Sequence, residues 1–356
     1  MNRSLHRISA LVVAAVCGLS AAAGIHWLST VYDFGAFEET DSLMNARFRF
    51  VNDGPDEMAI TSASATCGCT TPRYSVDPVQ PGDTAVIDVA YDPSGRPGRF
   101  EKYVYVRTTA TQGREKLVIR GTVVGTPASV SARYPVDMGR LKLRRGAVMV
   151  GKVNKGRSKM EFADGYNMSM DSIAPTVSNL PEYLEVTVAP RKVAPGEQVQ
   201  FNFYFRADRC PDYGIVTDSV MVSPDPLSSQ IYPLPVVAIV EEDFSRLSPG
   251  QMRNAPEAAL SAESLDLGRI DGTGPVTGEV ELYNRGKDKL LIRRVYSSDP
   301  GISVSTSQTE VKKGKSAKIR VTYTPQPGSD MVNARVSVIT NSPSSPTLTL
   351  RVVGRK

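Results

Sequence analysis

Val199-Gln-Phe-Asn-Phe-Tyr-Phe205 puts an aromatic or β-branched residue at every second position. Successive side chains of an extended backbone point to opposite faces, so this spacing gives one apolar face and one wet face. The same period runs through Val86-Ile-Asp-Val-Ala-Tyr91, Lys102-Tyr-Val-Tyr-Val-Arg107 and Lys116-Leu-Val-Ile-Arg120. It returns in Gly278-Glu-Val-Glu-Leu-Tyr283, Ala317-Lys-Ile-Arg-Val-Thr-Tyr323 and Ala334-Arg-Val-Ser-Val-Ile339. Each run is short and bounded by Gly, Pro, Asn or Asp, the signature of half-buried antiparallel strands. Asn254 to Ala262 is the best helical stretch, and it is short. The pattern predicts an all-β chain.

A repeat organises these strands. Tyr32-Asp-Phe-Gly35, Val136-Asp-Met-Gly139 and Leu265-Asp-Leu-Gly268 share one motif. A strand and a turn follow each: Asn52-Asp-Gly54, Asn154-Lys-Gly156 and Asn284-Arg-Gly286. Then come Pro81-Gly82, Pro195-Gly196 and Lys313-Gly314, each ahead of a strongly alternating strand. Asn-x-Gly supplies positive φ between paired strands. Three copies of about 100 residues fit three tandem immunoglobulin-like antiparallel β-sandwiches. The expected boundaries are 25–124, a divergent copy at 126–240, a polar linker at 241–257, and a last copy at 258–356.

Residues 1–23 read as a secretory signal peptide. Arg3, His6 and Arg7 precede an apolar run from Ile8 to Leu19, and Ala21 and Ala23 form an A-x-A site. The run is shorter than the ~20 residues a membrane helix needs. An uncleaved N-terminal anchor and a lipid-modified Cys17 are the alternatives. No other segment is apolar enough to span a membrane, so the mature chain is expected outside the cytoplasm, in the periplasm or associated with the outer envelope.

The net charge of +5 is modest. Its densest basic runs, Lys142, Arg144 and Arg145, then Lys312, Lys313 and Lys315, carry no interleaved aromatics and open no helix, so nucleic acid is not an expected partner. The histidines are His6 and His26, both near the N-terminus. A Ser-His-Asp triad and a zinc-protease helix therefore lack their parts. Gly272-Thr-Gly-Pro-Val-Thr-Gly278 has the wrong spacing for a phosphate loop and leads into a strand. Glu38-Glu39 and Glu241-Glu-Asp243 read as solvated loop carboxylates. Trp27 is the one tryptophan, too little for a sugar-stacking platform.

Chemistry is concentrated at Ala65-Thr-Cys-Gly-Cys-Thr70. On a regular strand Cys67 and Cys69 share one face. Simple packed residues, a structural disulfide, and a tight and easily reduced redox disulfide all fit this spacing. A Cu(I) pair, with Met58 the nearest further soft ligand, and a bridge from one of them to Cys210 are the other readings. Cys210, in Ala207-Asp-Arg-Cys-Pro-Asp212, reads as a free thiol in a loop. Gly95-Arg-Pro-Gly-Arg-Phe100 is a rigid basic loop; Arg96, Arg99 and Phe100 are its candidate contacts for an acidic partner, against a plain turn. Asp41-Ser-Leu43, Asp83-Thr-Ala85, Asp171-Ser-Ile173 and Asp218-Ser-Val220 have the form of bacterial O-glycosylation acceptors.

Asp33-Phe-Gly35, Arg47-Phe-Arg-Phe-Val-Asn52, the Cys-Gly-Cys-Thr element, Pro81-Gly82, Tyr91-Asp-Pro93 and Gly95 to Phe100 occur in the order of one family. Over its first third, the mature chain resembles DUF1573, bacterial Ig-like domains of unknown function frequent in Bacteroidetes. The last copy is loosely similar to ASPM–SPD-2–Hydin modules, with Tyr296-Ser-Ser-Asp-Pro300 where the cysteines would stand. The resemblance implies an envelope-associated sandwich of seven or eight strands and a cleaved leader, and no established reaction. The expectation is a non-enzymatic structural or protein-binding module of the cell envelope, with envelope proteins as partners and no cofactor. The alternative is a thiol redox or Cu(I)-handling protein using Cys67 and Cys69.

Overall fold

Arg47-Phe-Arg-Phe50 shows how the alternation is used: Phe48 and Phe50 are buried, and Arg47 and Arg49 lie on the wet face. The computed structural model describes residues 24–226, 229–270, 274–326 and 331–355. The leader read at 1–23, with Cys17, and the Gly272–Thr273 part of the glycine-rich stretch lie outside the described residues.

The first sandwich comprises β1 (Ile25–Trp27), β2 (Val31–Glu38), β3 (Met44–Asn52), β4 (Ile60–Ala65), β5 (Thr70–Tyr74), β6 (Thr84–Tyr91), β7 (Gly98–Thr108) and β8 (Glu115–Val124). Its sheets have the orders β1-β3-β6-β5 and β2-β8-β7-β4. After a one-turn helix α1 (Pro127–Val130) come β9 (Val136–Met138), β10 (Leu141–Leu143), β11 (Val148–Asn154), β12 (Ser158–Asn167), β13 (Thr176–Ser178), β14 (Leu184–Ala189), β15 (Gln198–Arg206), β16 (Gly214–Ser223) and β17 (Tyr232–Glu241). These form sheets β14-β15-β12-β10-β9 and β11-β17-β16-β13. A short helix α2 (Pro249–Asn254) leads to β18 (Ala258–Leu260), β19 (Ser264–Arg269), β20 (Val276–Asn284), β21 (Leu290–Ser297), β22 (Ile302–Thr306), β23 (Glu310–Val311), β24 (Ser316–Tyr323), β25 (Met331–Thr340) and β26 (Thr347–Arg355). The last sheets are β18-β20-β24-β22 and β19-β26-β25-β21-β23.

Each pair of sheets encloses its own core, and the three cores are separate: Phe48, Phe50, Ile87 and Ile119 in the first, Phe201, Phe203 and Phe205 in the second, Leu282, Ile319 and Leu350 in the third. The architecture is thus three tandem immunoglobulin-like sandwiches. The chain divides into two compact units, one ending at Ser129 and one beginning at Val130 that holds the second and third sandwiches.

Every sandwich also holds one parallel pair, which period-two reasoning does not anticipate: β2 with β8, β11 with β17 and β19 with β26. After its first edge strand the chain crosses to the other sheet and runs beside the last strand in the same direction. A glycine with positive φ sits at the register shift of each pair: Gly35 at 66°, Gly151 at 72° and Gly268 at 69°. In the outer copies the Asp of the repeat holds this kink. Asp33 and Asp266 accept the backbone N–H of Gly35 and Gly268 at 2.9 and 2.8 Å.

The middle copy corrects the sequence reading twice. Val136-Asp-Met-Gly139 is not its parallel strand; it holds the added edge strand β9, paired with β10. Val148-Met-Val-Gly151 takes the parallel position, without an Asp. Nor does Asn154 correspond to Asn52 and Asn284, because it is exposed. Asn167 does, and the strand pairing proves the register: Leu141 faces Asn167 as Ile25 faces Asn52 and Ala258 faces Asn284. The helix also moves. Ser248 and Gln251 make a reciprocal capping box with Pro249 inside it, so α2 begins earlier. Pro256 then disfavours helix at Ala255, and Ala258–Leu260 is strand.

The three asparagines are fully buried and share one set of three side-chain hydrogen bonds to the main chain. Asn52 Nδ2 donates to the carbonyls of Asp56 and Val79, both at 2.8 Å, and its Oδ1 accepts from Gly54 N. Asn167 Nδ2 donates to Asp171 and Val193, with Ser169 N on its Oδ1. Asn284 Nδ2 donates to Asp288 and Val311, with Gly286 N on its Oδ1. Removing such an amide leaves several main-chain groups unpaired in the interior. Asn284→Ala is expected to destabilise the third sandwich by about 2–4 kcal/mol, whereas exposed Asn154→Ala should change stability by less than about 0.5 kcal/mol. Urea unfolding of the two variants checks both values.

Candidate functional site

β4 closes one sheet of the first sandwich and β5 opens the other, so Thr66 to Cys69 form a crossover between sheets. This corrects the expectation that the cysteines lie on one strand. Thr66 N donates to Tyr103 O at 3.0 Å on the departing side. Thr70 N donates to Cys67 O at 3.3 Å, and Asp92 N to Cys69 O at 2.9 Å, on the arriving side. Within this frame Cys67 and Cys69 are joined to each other, with S–S 2.00 Å and Cα atoms 5.4 Å apart. The bridge to Cys210 is thereby excluded.

Both cysteines are half-exposed, and Cys69 packs on the first core. Gly68 is exposed, with open space where a Cβ would stand. Below them Thr70 is buried, and its hydroxyl lies 3.5 Å from Cys67 Sγ and 3.8 Å from Cys69 Sγ. Closing so small a ring removes little freedom from the unfolded chain, about 1.6 kcal/mol against about 3 for a 15-residue loop.

The other sandwiches repeat this crossover without sulfur. In the second, Leu184 N donates to Pro181 O and Arg206 N to Tyr183 O. In the third, Ile302 N donates to Asp299 O and Thr324 N to Gly301 O. Pro181 and Tyr183, then Asp299 and Gly301, therefore occupy the positions of Cys67 and Cys69. Where the first copy has an S–S bond, Asp299 Oδ1 accepts Gly301 N–H at 2.8 Å.

For copper, thiolates are the ligands, and the bonded pair offers none until it is reduced. Among the described residues no three His, Cys, Asp or Glu side chains gather as a metal site.

The remaining candidates fall elsewhere. Cys210 is a free thiol, as expected, but it is buried in the second core rather than held in an open loop. A turn closed by Cys210 N on Arg206 O carries its side chain inward, and burial pushes the thiol pKa up. Phe100 cannot face a partner either. It is buried in the first core and stacked on Tyr91 at 4.0 Å. Arg96 folds back onto its own turn, pairing with Asp92 at 2.9 Å and donating to the Ser94 carbonyl. Arg99 is exposed, near Asp33, and Arg96 is exposed as well but tied to its own turn. The hydroxyl residues Ser42, Thr84, Ser172 and Ser219 of the four acceptor-like patterns are all exposed.

Sequence reasoning missed two features. One is an open cleft of about 570 Å³ beside the β5 edge, lined by Ile60, Arg73, Tyr74, Asp77 and Thr84. The other is the joint between the second and third sandwiches. Arg293 makes two hydrogen bonds to Glu242, at 2.8 and 3.0 Å. Arg294 donates to the carbonyls of Tyr213 and Ile215, and Ile215 N donates to the Tyr296 hydroxyl at 3.0 Å. Gly214, at φ 75°, lies against the Tyr296 ring, where a Cβ would come within 2.8 Å of its hydroxyl.

Two outcomes follow from this geometry. Cys210 should resist alkylation in the native protein and react once denatured, as read by mass spectrometry of its peptide. Arg293→Ala should split a shared calorimetric unfolding transition of the second and third sandwiches into two, or separate them further.

No curated protein matches the chain. Among solved structures it is similar to a protein of unknown function from Porphyromonas gingivalis W83, at 20% identity and TM-score 0.49, over 61% of this chain and 100% of that one. It is also similar to the endo-fucoidan hydrolase MfFcnA4 of glycoside hydrolase family 107, at 11% identity and TM-score 0.28, over 89% of this chain but 42% of the hydrolase. The I-band fragment I67–I69 of titin is similar at 11% identity and TM-score 0.22, over 93% of this chain and 97% of the fragment. The profile of the family described as "Protein of unknown function (DUF1573)" matches residues 25–123 and again 258–355, within the first and the third sandwich. Those two matches cover more than half of the sequence, and the chain belongs to the DUF1573 family.

Proposed function

We propose that this chain is a non-enzymatic, extracytoplasmic scaffold of the bacterial cell envelope that presents protein-binding surface. The observation that carries this reading is the fate of the carboxylates that acid–base chemistry would need. Glu39 accepts from the Ser129 hydroxyl and from the backbone N–H of Thr126 and Gly95. Burial works to raise its pKa, but these hydrogen bonds outweigh burial and hold it below the usual range. Glu241 pairs with Lys152, Glu242 with Arg293 and Asp243 with Arg157. The acidic runs that read as solvated loops thus close turns and fix joints; Glu242 and Asp243 both line a small open cleft with Lys155 and Arg246, where each is already paired with an arginine.

A binding role is supported by the first sandwich. Both β4 and β5 end their sheets, and the open cleft lies beside them. An unpaired strand edge next to a groove suits an extended segment of another protein. Export is supported by the leader-like residues 1–23 and by the formed disulfide, a bond that persists in oxidising compartments. Among the described residues no helix is long and apolar enough to cross a membrane.

Cell fractionation followed by crosslinking in the intact envelope tests the proposal. The protein is expected in the extracytoplasmic fraction, with crosslinks from the β5 edge to envelope proteins. Recovery in the cytosol would overturn the location. Crosslinks that persist unchanged after Tyr74→Ala and Arg73→Glu would overturn the assignment of that edge.

A further inference from the structure

We propose that Cys67 and Cys69 form a thiol–disulfide exchange site whose substrate is an exposed cysteine pair on a partner protein. Three observations lead there, none of which the scaffold reading requires. First, the fold does not need the sulfurs: the same two backbone hydrogen bonds close the crossover at Pro181–Tyr183 and at Asp299–Gly301. Second, the bond is reachable. Both cysteines are half-exposed, and Gly68 between them leaves open space on the solvent side. Third, the buried Thr70 hydroxyl lies within hydrogen-bonding reach of both sulfurs. A hydroxyl placed there donates to a thiolate as the S–S bond opens, and a better-stabilised leaving thiolate departs faster.

Cys69 packs on the core and Cys67 does not, so an incoming thiolate meets Cys67. It forms a mixed disulfide with Cys67 Sγ while the S–S bond breaks, and Cys69 leaves as a thiolate beside Thr70. The second thiolate of the partner then attacks the partner's own sulfur in the mixed disulfide. The partner leaves oxidised, with its disulfide formed, and Cys67 is released as a thiolate. Two electrons pass from the partner dithiol to this protein. The two protons lost to water when the partner thiols ionised are regained from water by Cys67 and Cys69. An oxidised disulfide of the glutathione class reverses the sequence and restores the bond.

The test equilibrates the full chain in buffers of reduced and oxidised glutathione and reads Cys67 and Cys69 by differential alkylation and mass spectrometry. The expected result is conversion between disulfide and dithiol with the circular dichroism of the native fold unchanged. Cys69→Ser should accumulate a mixed disulfide at Cys67 when given oxidised glutathione, the Cys67 thiolate attacking the S–S bond and one glutathione leaving as thiolate. Thr70→Val should slow exchange several-fold while leaving the unfolding midpoint nearly unmoved, an effect that simple packing would not produce. The proposal is overturned if the bond is reduced only as the first sandwich unfolds, if Cys69→Ser yields no adduct in the native state, or if the Cys67→Ser/Cys69→Ser chain fails to fold. An unchanged exchange rate in Thr70→Val would overturn the positioning role of Thr70.

Discussion

A buried amide at the end of one strand holds each sandwich together. Asn52, Asn167 and Asn284 each reach a carbonyl four residues ahead and another 26 or 27 residues ahead. Their main chains are engaged as well: Gly82, Gly196 and Gly314 donate to the asparagine carbonyls. One side chain therefore ties a turn to a segment that arrives much later, where no regular ladder reaches. Asparagine suits this place because it offers two donors and an acceptor without charge. An aspartate would bring two acceptors to two carbonyls, and an alanine would leave them bare.

At the opposite end of the same strands, the crossover between sheets is held by recurring main-chain hydrogen bonds. The side chains at its two inner positions are then free to differ, and they do: Cys67 and Cys69, Pro181 and Tyr183, Asp299 and Gly301. The second copy uses the freedom for packing, with the Tyr183 hydroxyl donating to Asp218 at 2.5 Å. The third uses it for a carboxylate-closed turn. Divergence at a position whose backbone is already held is how a repeated scaffold acquires local chemistry without losing its fold.

What the sequence showed and what it hid follow the same division. Period-two alternation exposed the strands, because burial on one face is written directly in residue type. The middle copy misled because its marker changed: the residue two after Asn167 need only supply an N–H, and Ser169 does so without the glycine that made Asn-x-Gly visible. Asn154-Lys-Gly156 kept the letters and lost the role. Cys210 looked exposed because Asp208, Arg209 and Asp212 surround it, yet the turn sends the thiol inward and those charges outward. Phe100 looked like part of a loop, whereas it is the first inward residue of β7. The joint around Arg293 was illegible, since an ion pair across two sandwiches leaves no periodic trace.

The same separation bears on the exchange site. The hydrogen bonds that hold the crossover, Thr66 to Tyr103, Thr70 to Cys67 and Asp92 to Cys69, are made by backbone atoms, and none depends on the S–S bond. Opening it releases a ring of three residues, and the change in chain entropy is correspondingly small. A long-range disulfide would loosen the sheets when cut; this one joins two residues of the crossover and ties no strand to another. Reduction therefore changes the chemistry displayed at the edge of the first sandwich while the frame that displays it stays put, which is the condition for a scaffold to carry a reversible thiol pair at all.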